Sequence, residues 1–305
     1  MHPYANEEEA LTDVLRLSRG MTLKNAAAGL PLGGGKCVII ADPNAANKPE
    51  LLRAFASHIQ SLRGRYWTAI DIGVGPKDAD VMAEVCDYIF ARASQYEEGF
   101  NPSSFTAYGG FIGIKSAVKA VLGADKLKGI SVAVQGLGAT GYALSKHLHA
   151  AGALLTVSDV RQEVVEAAVV DFGAVAIDPH KVHLAEVDVF APCAMGAVLN
   201  DETIPEIKAK IICGLANNQL AESHHGKALA DRGITYVPDY VVNAGGMMGA
   251  STAIFSELSA EKSLQQIEGL YQTITAIIDR AKTEGKPSAD IADAIAYERI
   301  DNVRN

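Results

Sequence analysis

"ISVAVQGLGATGYALSKHLHAAGALLTVSDV", residues 130–160, decides the fold. Ile130–Gln135 reads as a buried strand and runs straight into Gly136-Leu137-Gly138-Ala139-Thr140-Gly141. A helical stretch follows, and a second strand, Leu154–Ser158, ends at Asp159. This is G-x-G-x-x-G between the strand and helix it requires. Gly136 permits the tight turn, Gly138 lets a pyrophosphate approach the backbone at the positive helix end, and Gly141 lets helix and strand pack closely. Asp159 stands where an acid binds the adenine ribose 2′-hydroxyl and repels a 2′-phosphate, so the expected cofactor is NAD. Arg161 leaves a small opening for NADP.

Further strands are expected at Val187–Ala191, Ala209–Cys213 and Thr235–Pro238, alternating with helices. That order implies a doubly wound parallel sheet of the Rossmann kind, an α/β fold. The C-terminal ends of these strands carry "APCAMGA", "GLANNQL" and "PDYVVNAGG", at the sheet edge where ligands bind. Upstream, residues 7–19 read as a helix, 37–41 as a strand, 49–62 as a helix, "YWTAIDIG" as a strand and 76–97 as a helix. "GFNPSSFTAYGG", rich in turn formers, marks a boundary, and a linking helix follows it. The expected division is an α/β substrate domain over residues 1–100, a linking segment over 101–128 and a dinucleotide-binding domain over 129–285. The last helices are expected at about 258–285 and 287–302, with residues 286–305 returning to the first domain.

The 305 residues suffice for two domains, and 49% hydrophobic residues suffice for a core. A formal charge of −9 argues against nucleic acid or an anionic membrane as the main partner. No apolar run reaches the length of a membrane span, and no basic-then-apolar leader opens the chain, so a cytoplasmic protein is expected. Cys37, Cys86, Cys193 and Cys213 show no CxxC spacing and read as reduced core residues; no metal site is expected.

"GMTLKNAAAGLPLGGGKCVIIADP", residues 20–43, sets Lys24 and Lys36 around a run of glycines. As a nucleotide-phosphate loop it fails at both ends, since Leu30 stands where the first glycine belongs and Cys37 where the hydroxyl belongs. The remaining reading is a pair of lysines aimed at a small anionic substrate, Lys36 at the mouth of a buried strand where glycines let a ligand come close.

The chain resembles the Glu/Leu/Phe/Val dehydrogenases along nearly all its length. "RGMTLKNAAAGLPLGGGK", "TAIDIG", "NPSSFTAYG", "VAVQGLG", "FAPCAMGA", "NDETIPEIKAKII", "ANNQL" and "PDYVVNAGG" match in order, with the leucine-type branch nearest. The resemblance implies oxidative deamination of an L-amino acid to a 2-oxo acid and ammonia with reduction of NAD. It assigns Lys24 to the substrate carboxylate, Lys36 as general base and Asp71 to proton exchange with the substrate nitrogen. A lysine base needs a pKa depressed by desolvation or a second cation, and Lys24 would be that cation. Asn217, Asn218 and Asn243 fall near nicotinamide and substrate, and Thr106 beside the carboxamide. Met21, Ala69, Met247 and Ala250 would line the substrate side.

The resemblance also implies a homo-oligomer, and a substrate domain truncated relative to the family, whose strands precede "YANEEEAL" and end in a Gly-Gly segment that lines the pocket. Side-chain specificity is split. Ala69 is the leucine-type residue, whereas Gly249 and Ala250 promise room for an aromatic substrate. A missing carboxylate partner argues against glutamate. Two other classes stay open: a non-catalytic NAD-binding relative, and a hydroxy-acid dehydrogenase, whose His–acid pair would fall on His224-His225, a segment that reads as surface.

Overall fold

The computed structural model describes residues 1–97, 101–255 and 259–304. Its centre is a six-stranded, all-parallel sheet in the order β3-β2-β1-β4-β5-β6. The strands are β1 (Ser131–Gln135), β2 (Leu154–Ser158), β3 (Val175–Ala176), β4 (Val189–Pro192), β5 (Ile211–Ile212) and β6 (Thr235–Tyr236). Register follows the doubly wound pattern, with Val132 opposite Leu155 on one side and Val189 on the other. Val132, Ala133 and Val134 are fully buried, as a strand covered on both faces must be. β2 agrees with its expected bounds, whereas β5 and β6 are shorter than expected and the edge strand β3 was not foreseen.

Helices cover the sheet and build the N-terminal part. They are α1 (Glu7–Ala27), α2 (Lys48–Ser61), α3 (Pro76–Ala83), α4 (Ala93–Glu97), α5 (Pro102–Leu122), α6 (Ala139–Ala150), α7 (Gln162–Phe172), α8 (His225–Asp231), α9 (Asp239–Val242), α10 (Gly245–Phe255), α11 (Ala260–Glu268), α12 (Leu270–Glu284) and α13 (Ser288–Arg304). α5 packs against α6, α10 and α12. Its approach to α10 is close because glycines face one another: a Cβ on Gly245 would overlap the Phe105 carbonyl, and one on Gly246 would overlap Thr106 Oγ1. α13 lies along α1, where Arg299 Nη1 donates to the Ala26 and Ala27 carbonyls at 2.9 and 2.5 Å. Those carbonyls lie at the α1 C-terminus, which a cation suits.

Several expectations are corrected. Residues 37–41 and 66–73 form isolated bridges, His2 to Ile40 and Thr68 to Ile89, and no regular strand. Each is apolar enough for a strand, but residues 37–41 meet a single bridge partner, and residues 66–73 make only isolated bridges, Asp71 to Val74 being the second. The expected helix over 76–97 stops at Ala83, because Tyr88 and Phe90 leave it to exchange backbone bonds with Thr68. The turn-rich boundary is a helix from Pro102 onward, since Asn101 caps it by accepting from Ser103 N–H and Ser104 N–H; Gly99 and Phe100 lie outside the described residues. The long helix expected from 258 breaks at Gly269, and residue 258 itself is outside the described residues. Among the described residues no helix is long and apolar enough to cross a membrane. All four cysteines are free, but only Cys86 and Cys213 are buried; Cys37 is exposed.

Candidate active site

Lys36 follows the glycine run, and its position is set by α1: its backbone N–H donates to Ser18 Oγ at 3.1 Å. Gly34 lies so close to Thr22 that a side chain there would overlap it, which holds the run against the helix. From that place the Lys36 ammonium meets the Asp71 carboxylate in a direct ion pair. Burial alone would raise the Asp71 carboxyl; the hydrogen bond and charge of Lys36, with the Ile72 N–H, overcome it and hold the pKa below its usual value. Ala69 and Asp71 share a small pocket with Cys37, Ile39, Phe55 and Thr68.

Lys24 lies on the last turn of α1, one turn after half-buried Met21. Its ammonium is desolvated, which lowers its pKa; Asp239 opposes this, Lys36 adds to it and Asp71 opposes it. Lys24, Lys36 and Asp71 therefore share one electrostatic neighbourhood.

On the sheet side, the three glycines carry distinct roles. Gly136 has φ +95°, in the region open to glycine, and sits against Ala194. A Cβ on Gly141 would overlap the Gly136 carbonyl oxygen. Gly138 caps α6, and a Cβ there would meet nothing within 4 Å. The space a pyrophosphate needs is thus open at the helix N-terminus. Asp159 Oδ2 accepts from Leu137 N–H at 2.7 Å, and Oδ1 from Arg161 N–H at 2.9 Å and Arg161 Nε at 3.1 Å. Burial pushes that carboxyl up, but these bonds and the Arg161 charge prevail and hold it at about 2.

The loop after β5 meets the C-terminal end of α9. Asn243 Nδ2 donates to Asn217 Oδ1 at 2.7 Å, while Asn243 Oδ1 is buried without a partner. A buried amide oxygen left bare suits a ligand that brings an N–H, as a carboxamide does. Asn217 and Asn218 are exposed, Asn218 at φ +53°. The residues present therefore fit a dinucleotide.

Other expected residues fall elsewhere. Thr106 Oγ1 donates to the Pro102 carbonyl at 2.8 Å and lies beside Gly246. Met247 and Ala250 pack in the main core, and neither lines the pocket that holds Ala69. The room expected at Gly249 is filled, because the Phe105 ring occupies the place a Cβ would take. His225 is buried, contrary to the surface reading: its Nδ1 accepts from Glu222 N–H at 2.9 Å, and its Nε2 lies 3.2 Å from Asp201. With Nδ1 so engaged, neutral His225 must carry its proton on Nε2, which removes the lone pair a metal near Asp201 and His224 would need. Asp239, half-buried beneath the asparagine loop, and Ser18 escaped the sequence reading; an acid after a proline at the sheet's C-terminal edge was the available signal.

Two family models match the chain. One, described as Glu/Leu/Phe/Val dehydrogenase, dimerisation domain, covers residues 1–88; the other, described as Glutamate/Leucine/Phenylalanine/Valine dehydrogenase, covers residues 162–305. The leucine dehydrogenase of Bacillus subtilis (strain 168) is 46% identical over 304 residues, which span 100% of this chain and 83% of its own. The valine dehydrogenase of Streptomyces albus is 42% identical over 306 residues, 99% of this chain and 84% of its own. The crystal structure of L-tryptophan dehydrogenase from Nostoc punctiforme superposes with a TM-score of 0.88 at 41% identity, over 99% of this chain and 86% of that one.

Proposed function

The chain belongs to the Glu/Leu/Phe/Val dehydrogenases and is an amino-acid dehydrogenase, and on that premise we propose that it deaminates a branched-chain L-amino acid, leucine or valine, to the 2-oxo acid and ammonia with NAD. The ion pair of Lys36 with Asp71, beside the desolvated cation Lys24, carries this reading. Lys24 holds the substrate carboxylate and so orients Cα. Gly136–Gly141 would hold NAD, which would supply the acceptor for the hydride from Cα. Lys36, once its ammonium has passed a proton to Asp71, takes a proton from the water that adds to the imine carbon, and Asp71 hands its proton to the substrate nitrogen as ammonia departs. Their direct contact lets a proton pass between the two groups without crossing bulk solvent. Asp159, an acceptor with its charge fixed, favours a ribose hydroxyl over a 2′-phosphate, which supports NAD over NADP.

Ala69 beside Asp71 and the ring of Phe105 against Gly249 support a branched-chain substrate. The likeness to a tryptophan dehydrogenase favours an aromatic amino acid as the second reading. The same proposal includes a homo-oligomer, in keeping with a dimerisation-domain match over residues 1–88, a cytoplasmic location, and a division into residues 1–100 with 286–305, a linker over 101–128 and a cofactor unit over 129–285. The test is stoichiometric formation of NADH and ammonia from leucine or valine, with loss of both in Lys36→Ala. Amino-acid-independent NADH binding with no turnover of any amino acid would overturn it.

A further inference from the structure

We propose that Asp239 is a positioning residue that sets the substrate lysine and the asparagine loop together: its one carboxylate accepts from the backbone of that loop and supplies the counter-charge to Lys24. The proposal rests on the reading of Lys24 as the carboxylate-binding cation.

The geometry has two sides. On the first, Asp239 Oδ2 accepts from Gln219 N–H at 2.8 Å and Oδ1 from Tyr240 N–H at 2.6 Å. Burial raises the Asp239 carboxyl, while both of these donors and the Lys24 charge favour its ionised, acceptor-only form. Gln219 is fully buried, and it follows directly on Asn217 and Asn218. Asn218, at φ +53°, is held further by its carbonyl, which accepts from Ala197 N–H at 2.7 Å. Asp239 thus fixes the loop from below while Asn217 and Asn218 stay exposed.

On the second side, α9 packs on α1, and Asp239 is the largest charge favouring protonation of Lys24. Desolvation works against that ammonium, as does Lys36; Asp71 works for it. Around Asp239 the other titratable groups are Tyr236 from β6, whose hydroxyl accepts from Asp239 N–H at 3.1 Å, and Tyr240, whose hydroxyl donates to Asp293 of α13 at 2.7 Å. Arg19 of α1 lies 3.9 Å from Asp293. The Asp293 charge is thereby already engaged by Tyr240 and Arg19, and Lys24 depends on Asp239 and Asp71 to stay cationic. A buried lysine without a counter-ion tends to shed its proton, and then no longer holds a carboxylate.

The experiment compares Asp239→Asn with Asp239→Glu. In the Asn variant the alkaline limb of kcat/KM for the amino acid moves to lower pH by about one unit, and KM for the amino acid rises about tenfold. In the Glu variant the charge survives, so the limb stays at its wild-type pH, while the displaced loop weakens NADH binding. Should the Asn variant fail to fold, Asp239→Ser carries the same expectation. An unmoved limb in the neutral variant, or equal losses in both variants without a moved limb, overturns the proposal in favour of a structural role. Wild-type protein that turns over no amino acid defeats the reading beneath it instead. The decision then passes to the pH dependence of acetic anhydride labelling of Lys24: half-labelling at lower pH in Asp239→Asn upholds the pairing, and equal values overturn it.

Discussion

Lys36 and Asp71, 35 residues apart in the chain, meet in a direct ion pair beside the small pocket that holds Ala69. Asp71 is more than half exposed, so the pair adds little to stability, and its consequence is chemical. Lys36→Ala should lower kcat about a hundred- to ten-thousandfold, with NADH affinity and Tm near wild type. The same variant removes the main groups holding the Asp71 carboxyl down and leaves burial, which raises it. The acidic limb of any residual activity should therefore move to higher pH. Near-normal turnover would place the base elsewhere.

Gly138 and Gly141 separate cofactor binding from folding. A Cβ on Gly138 meets no protein atom, and its φ of −69° suits alanine. Gly138→Ala should keep Tm within about 1–2 °C, yet weaken NADH binding at least tenfold, because the methyl group takes the place of a phosphate oxygen. Gly141→Ala should destabilise the fold by about 1–3 kcal/mol or more, since the methyl group overlaps the Gly136 carbonyl. Thermal melts with NADH titrations check both; equal loss of Tm in the two variants would refute the open cradle.

These glycines were legible because a tight turn, an open approach and a close packing each need a missing side chain at a fixed spacing. Lys24, Lys36 and Asp71 were legible through the order of matched motifs, with the chemistry agreeing. What stayed hidden was non-local. Residues 37–41 carry a strand's composition, but whether they join a ladder depends on partners far along the chain. Gly249 reads as free space until the fold brings Phe105 against it, 144 residues away. Asp239 looks like any acid after a proline until the loop at Gln219 closes over it.

Asp159 and Arg161 predict how the cofactor preference answers to mutation. With its pKa held at about 2, below the ordinary 3.8, the Asp159 carboxylate stabilises the fold above that ordinary value. The contribution fades as pH falls through about 2, so NADH affinity should not change through Asp159 between neutrality and about pH 4. Arg161→Ala removes the side-chain hydrogen bonds and charge that hold it down and keeps the two backbone donors, and acid loss of binding should begin at higher pH. Asp159→Ser frees the Arg161 guanidinium, which now spans Asp159 and the Leu137 carbonyl, to meet a 2′-phosphate. The ratio of kcat/KM for NAD over NADP should fall at least tenfold in that variant. A wild-type preference for NADP would refute the role given to Asp159.

The last expectation concerns the substrate. Ala69 lies in the pocket with Asp71, and the Phe105 ring closes the space beside Gly249, so the small residues after Gly246 open less room than their size suggests. Leucine or valine should give the highest kcat/KM. An apolar pocket discriminates by only about 1–3 kcal/mol per methylene, so phenylalanine and tryptophan should turn over at reduced rates. Glutamate should not, because its side-chain carboxylate would be buried without a partner. Phe105→Ala should then shift preference toward the aromatic substrates by vacating the space at Gly249, at a cost of about 3–5 kcal/mol in stability. The measurement is NADH formation from leucine, valine, phenylalanine, tryptophan and glutamate, in wild type and in the Phe105 variant. Fastest wild-type turnover of tryptophan would show that the pocket lies beyond Phe105, and fastest turnover of glutamate would refute an apolar pocket altogether.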